Sequence, residues 1–274
     1  MKKIIFLFAL VSTTLIGQAQ TTAKNNKFRL GIKASPNVSW MKSDNGSVTT
    51  NGSALRFGYG LNFDIFFAEN YAVGTGLNIN TTGSSLTYLS TFNGDDSDEN
   101  GAPLSNMSQI GKVTRDYQVQ YIQIPLTFKM KTPEIGYITY WGQFGLGLNF
   151  NLKAFADEEV DYLYYQDKNS HNWLVSNRAT GLSNNKDIKN DLSIFHTNLI
   201  FAGGIEYGLA GNTSLLVGVT FQNGLTNILK KGIGVEVNSA TGAPVYDGTS
   251  NQLPTTYNLQ AVPKYIELNV GVLF

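Results

Sequence analysis

Eight stretches of this chain alternate apolar and polar residues with a period of two, and no other feature constrains the fold as tightly. Successive side chains on a strand point to opposite faces, so each stretch reads as a two-faced β-strand. Residues 28–40 set Phe28, Leu30, Ile32, Ala34, Val38 and Trp40 against Arg29, Gly31, Lys33, Ser35 and Asn37. Residues 55–65, 71–81, 137–153, 197–207 and 213–228 repeat the rhythm, the third of these placing Lys153 on its polar face. The last stretch, 265–274, sets Ile266, Leu268, Val270, Val272 and Phe274 against Tyr265, Glu267, Asn269, Gly271 and Leu273. In 117–129, Ile122, Ile124, Leu126 and Phe128 share a face. Tyr117, Val119 and Tyr121 lie out of phase with them, which predicts a bulge near Tyr121.

The connections alternate too. Tight links fall near 67–70, 130–136 and 208–213, and long polar links near 41–54, 82–116, 154–191 and 229–262. Short turns at one end and long loops at the other are the signature of an outer-membrane barrel. A terminal strand frays unless a sheet holds it, so 264–274 is expected to pair antiparallel with 28–40 and close the ring. Alternation alone leaves open which face is outside, because a soluble ligand-binding barrel points its apolar face inward. Here the polar face is mostly Gly, Asn, Ser, Thr and Gln, which suits the tight lumen of eight strands. The apolar face carries aromatics near strand ends, as lipid-facing girdles do. The expected fold is all-β: an eight-stranded antiparallel up-and-down transmembrane β-barrel with short periplasmic turns and long extracellular loops.

The first 19 residues have the form of a cleaved signal peptide: Lys2 and Lys3, an apolar run, then Gly17 and Ala19 before the cut. That leaves 20–274 as the barrel domain, exported to the outer membrane. No cysteine follows the cut, so a lipid anchor is excluded and there is no disulfide framework. Without Lys2 and Lys3 there are 18 basic and 20 acidic residues, a net charge of −2, which argues against a nucleic-acid partner.

"YIQIPLTFKM" (121–130), "WGQFGLGLNF" (141–150), and "AGGIEYGL" (202–209) with "NGLTNI" (223–228) resemble the PorT-like outer-membrane β-barrel family of bacteroidetes. The resemblance runs over the whole mature chain. Gln123 stands where that family often carries an acidic residue. The resemblance implies an outer-membrane location, outer-membrane lipid as the surroundings, and Phe274 as part of a signal read by the barrel-assembly machinery. One branch of the family assists the type IX secretion system, which brings secretion-system or surface proteins in as partners.

Lumen charges are the first chemical candidates. Arg29 and Asp64 are expected to pair near the periplasmic rim, and Lys33 and Glu267 near mid-height, because charges withdrawn from water need partners. Arg56, Lys153 and Glu206 share the polar faces. For catalysis only His171 and His196 could serve as a base, and no nucleophile motif surrounds either. "NGDDSDENG" (93–101) lacks the spacing of a calcium loop and, like "DEEVD" (157–161), reads as a solvated acidic loop. The aromatics Tyr162, Tyr164, Tyr165 and Trp173 in 154–191 suit either recognition or packing over the barrel mouth. No catalytic, metal or cofactor site is expected. The expected role is a non-enzymatic barrel with a filled lumen, a structural or surface-interaction scaffold. Alternatives are a secretion accessory of the type IX kind, a narrow channel, or a lipid-modifying enzyme using His196.

Overall fold

The computed structural model describes residues 27–97, 101, 103–167, 170–249 and 252–274; the leader expected at 1–19 lies outside them. Eight strands form the wall: β1 (Phe28–Lys42), β2 (Ala54–Ala68), β3 (Tyr71–Thr82), β4 (Pro103–Lys131), β5 (Ile138–Gln166), β6 (Phe195–Ala210), β7 (Thr213–Gly224) and β8 (Val262–Leu273). Each pairs antiparallel with the next. β8 returns to β1, from Gly31 opposite Leu273 to Lys42 opposite Val262. The ring closes where the alternation predicts, and closure satisfies the edge strands that lipid could not. Two prolines interrupt the ladders without shifting register. Around Pro36 the β1–β8 ladder skips from Ala34 to Asn37, and around Pro125 the β3–β4 ladder skips from Gly74 to Asn78. Proline has no N–H to give.

The outer face settles which way the strands look. Ile32, Leu61, Val73, Leu126, Leu146, Val219 and Leu268 are exposed, while Asn78, Gln123, Asn149, Asn198, Gln222 and Asn269 are buried. A soluble protein rarely exposes a contiguous apolar patch beyond a few hundred Å2, so this band is solvated by lipid. Aromatic pairs rim it at both ends. Tyr71 stacks on Phe128 at 5.8 Å and Tyr137 meets Tyr207 at 6.1 Å near the short turns. Phe150 meets Phe195 at 5.2 Å and Trp40 stacks on Phe221 at 6.5 Å near the long links.

The wall rises far above the band. β4 and β5 have 29 residues each, where a tilted crossing needs about 9–11. Their upper halves pair with each other from Gln109 opposite Tyr165 downward. Strand Ser85–Ser97 pairs with β4, and Gly181–Asp187 with β5. Much of what reads as loop in 82–116 and 154–191 is therefore sheet. Above Ile122 the outward positions of β4 become Gln118, Asp116 and Lys112, all exposed. The apolar alternation stops there because lipid stops, while the hydrogen-bonded ladder goes on.

The bulge lies opposite Tyr121 rather than in its strand. Gln120 pairs with Lys153 and Tyr121 with Asn151, leaving Leu152 as the extra residue on β5. β4 keeps its phase: Tyr117, Val119, Tyr121, Gln123, Thr127 and Lys129 are all buried. The out-of-phase aromatics mark a change in lumen chemistry from amides to apolar rings, and β5 is the strand that reverses its faces. Lys153, expected in the lumen, is consequently exposed on the outside, and Ala154 and Ala156 turn in.

An apolar cluster closes the extracellular end. Tyr117, Val119 and Tyr121 meet Met41, Leu86, Ile188, Leu192, Ile228 and Leu259, all at most 3% exposed. The last four come from the links 167–194 and 225–261, which fold back over the mouth.

Candidate functional site

The lumen is built in layers. Nearest the short turns, Lys129 Nζ donates to Asp64 Oδ2 at 2.6 Å and to Glu206 Oε1 at 2.8 Å. Arg29 donates to Glu206 Oε2 at 2.5 Å and to Ser214 Oγ at 2.6 Å. Two cations thus offset two carboxylates, with the Lys129 ammonium 5.3 Å from the Trp141 ring centroid. The next layer is carboxamide. Gln123 Nε2 donates to Gln222 Oε1 at 2.7 Å and to Asn149 Oδ1 at 2.9 Å, and its Oε1 accepts from Asn78 and Asn80, each at 3.3 Å. Asn198 donates to Gln222 Oε1 at 2.6 Å, and Gln222 Nε2 donates to Glu267. Above these, the rings of Tyr121 and His196 meet edge to face at 4.4 Å beneath the apolar cluster.

The expected charge pairs are redistributed. Arg29 and Asp64 are register neighbours, but Asp64 bonds Lys129, and Arg29 reaches across to Glu206. Lys33 Nζ donates to Asn269 Oδ1 at 3.1 Å, and Glu267, fully buried, bonds Gln222 instead of Lys33. In a barrel this narrow a side chain can reach strands that are not its neighbours, and Lys129 contacts two carboxylates at once. Arg56 sits at the upper rim, donating to the Tyr117 carbonyl at 3.3 Å beside Asp116. Lys129 is absent from the expected set, although its signal is present: it follows Gln123 and Thr127 in phase.

Glycine makes this packing possible. A Cβ on Gly147 would collide with Asn198 Oδ1 and meet Gln123 Nε2 at 2.8 Å, and one on Gly218 would collide with Trp141. What remains open is a cavity of about 40 Å3 beside Lys33, Asp64, Gln123 and Trp141. At roughly 10–15 Å3 per water it holds a few waters and no solute.

His196 is 1% exposed, and its Nδ1 has no hydrogen-bond partner among the described residues. The nearby Ser193 hydroxyl donates to the Asn227 carbonyl at 3.4 Å. His171 is exposed in a left-handed turn with φ 57°. Among the described residues no three His, Asp or Glu side chains gather as a metal site. Part of the 93–101 stretch lies outside the described residues. The loop aromatics pack into the cap: Trp173 stacks on Tyr246 at 5.9 Å and donates to the Gln252 carbonyl at 2.8 Å, and Tyr162 meets Phe92 at 5.7 Å.

A closed antiparallel ring, apolar outside and polar within, defines a transmembrane β-barrel of the outer-membrane type. The family described as the outer membrane protein beta-barrel domain matches residues 18–230, and the chain belongs to that family. Among solved structures, Neisserial surface protein A is similar at 10% identity over 90% of this chain and 96% of that one, with TM-score 0.41. OprG from Pseudomonas aeruginosa is similar at 11% identity over 90% and 95%, with TM-score 0.36. The outer membrane protease OmpT from Escherichia coli is similar at 10% identity over 94% and 99%, with TM-score 0.32. No curated protein matches the chain.

Proposed function

We propose that this chain is a non-enzymatic outer-membrane scaffold that works through its extracellular cap. One observation carries the reading: the lumen is filled from the charged layer to the apolar cluster, while ordered sheet projects outward from β4 and β5. A filled lumen gives no path for a solute. His196, buried against Tyr121 with no nucleophile bonded to it among the described residues, supports a structural role for that ring. The lumen charges then serve the barrel's own stability. Phe274, exposed at the lower girdle and hydrogen-bonded through its backbone to Leu30, serves as the assembly signal.

Of the stretches that resemble the PorT-like family, "YIQIPLTFKM" is the most specific. Lumen packing already accounts for two of its residues, Gln123 as the amide hub and Pro125 as the ladder break, so the stretch by itself carries no secretion role. A mild-detergent pull-down from native outer membrane, with a tag inserted between Ser97 and Pro103, tests both levels. The scaffold reading expects an envelope or surface protein whose recovery is lost when 173–187 is replaced by a short turn. Recovery of secretion-system components would make the chain an accessory of that system. Partners unchanged by trimming, or a lipid profile altered by His196→Ala, would overturn the scaffold reading.

A further inference from the structure

The cap contains a second cavity, of about 140 Å3, between β4 and β5 above the bilayer, the Ser85–Ser97 strand and the link 225–261. Arg115 and Glu158 lie at its base, ion-paired to each other, with side chains 14% and 10% exposed. Asp191 and Lys231 stand at the rim, their charged atoms 3.9 Å apart. Phe92 and Ile233 supply apolar walls.

This lining is selective. Two cations and two carboxylates cancel, so an ion of either sign meets a like charge as well as an opposite one. A hydrocarbon would strip water from charged heads and return nothing. An uncharged ring with one apolar face and an edge of groups that both donate and accept satisfies every wall. A cavity of roughly 150 Å3 holds a benzene-sized ring, so a pyranose seats its ring face here with its outer substituents beyond the rim. We infer that this cleft binds one neutral pyranose unit of a glycan. Arg115 and Lys231 donate to its hydroxyls, Asp191 and Glu158 accept from them, and its C–H face lies on Phe92 and Ile233. The loosely held rim pair loses little by exchanging its partner for a hydroxyl.

The inference rests on the cap being the working surface, and names what it recognises. The full chain in phospholipid nanodiscs, with and without lipopolysaccharide, is titrated with methyl glucoside, galactoside and mannoside, and with glucuronate and glucosamine, by saturation-transfer NMR. At least one neutral glycoside is expected to bind with a dissociation constant on the order of millimolar, more tightly than either charged sugar. Asp191→Asn and Lys231→Gln change a half-exposed and an exposed rim residue outside the buried core, and each is expected to weaken binding roughly tenfold. Phe92→Ala should do the same. Equal binding in both nanodiscs assigns the site to a glycan from outside; loss of binding in lipopolysaccharide assigns it to the glycolipid of the same membrane. Absence of neutral-sugar binding, or binding indifferent to the rim variants, overturns the inference. A cap that captures its protein partner but no sugar leaves the scaffold standing and removes only the sugar.

Discussion

Lys129 is the residue on which the periplasmic layer turns. It is buried and within 2.8 Å of both Asp64 and Glu206. Removing one partner from a buried ionic group leaves the others uncompensated, at a cost of about 3–5 kcal/mol. Lys129→Met keeps the stem and deletes the charge, so urea unfolding from lipid vesicles should show a loss in that range. Adding Asp64→Asn should recover part of it, because one of the two stranded charges is gone. A loss below about 1 kcal/mol, the range of exposed pairs, would mean that water screens the layer and that it is not a dry network. The residue-level pairing was the part least legible in sequence. Alternation places Arg29, Asp64 and Glu206 in the lumen, but Arg29 and Glu206 are 177 positions apart and meet only across the closed ring.

At the scale of the element, closure between β1 and β8 is the feature that the alternation predicts most directly. Ile32 and Val272 face each other across it, and both point to the lipid. Their Cα atoms should lie about 5.5 Å apart if they form a hydrogen-bonded pair, within reach of a disulfide. The chain has no cysteine of its own, so Ile32→Cys with Val272→Cys gives an unambiguous reading. Oxidation should give an intramolecular crosslink in nearly every folded molecule. Crosslinked dimers in its place would mean open edges pairing between copies. The eight strands were legible because lipid imposes an apolar outer face with period two. The upper halves of β4 and β5 were not, since water replaces lipid on their outer face, where Lys112, Asp116, Gln118 and Asp157 stand exposed, and the apolar residues of the inner face, Val113, Tyr117, Ala156 and Val160, are interrupted by Arg115 and Glu158. The bulge shows the same limit. Tyr117 and Tyr121 signalled that something changes, but the break in register fell on Leu152 of the partner strand.

At the scale of the whole molecule, three barriers lie in series along the barrel axis: the charged layer around Lys129, the carboxamide layer around Gln123, and the apolar cluster beneath the cap. Eight strands leave an interior that side chains just fill, and here the residual space is about 40 Å3. The proposed scaffold role accordingly assigns activity to the outward sheet and its links. The burial of His196 beneath the cluster and the outward turn of Lys153 fit that division, with the lumen serving stability and the cap serving contact. The measurement that tests the division most directly is single-channel recording of the full chain reconstituted in a planar bilayer, with insertion verified by protease protection. A barrel sealed at three levels holds the baseline current at every applied voltage. Discrete conductance steps from the inserted protein would contradict it and move the function from the cap into the lumen.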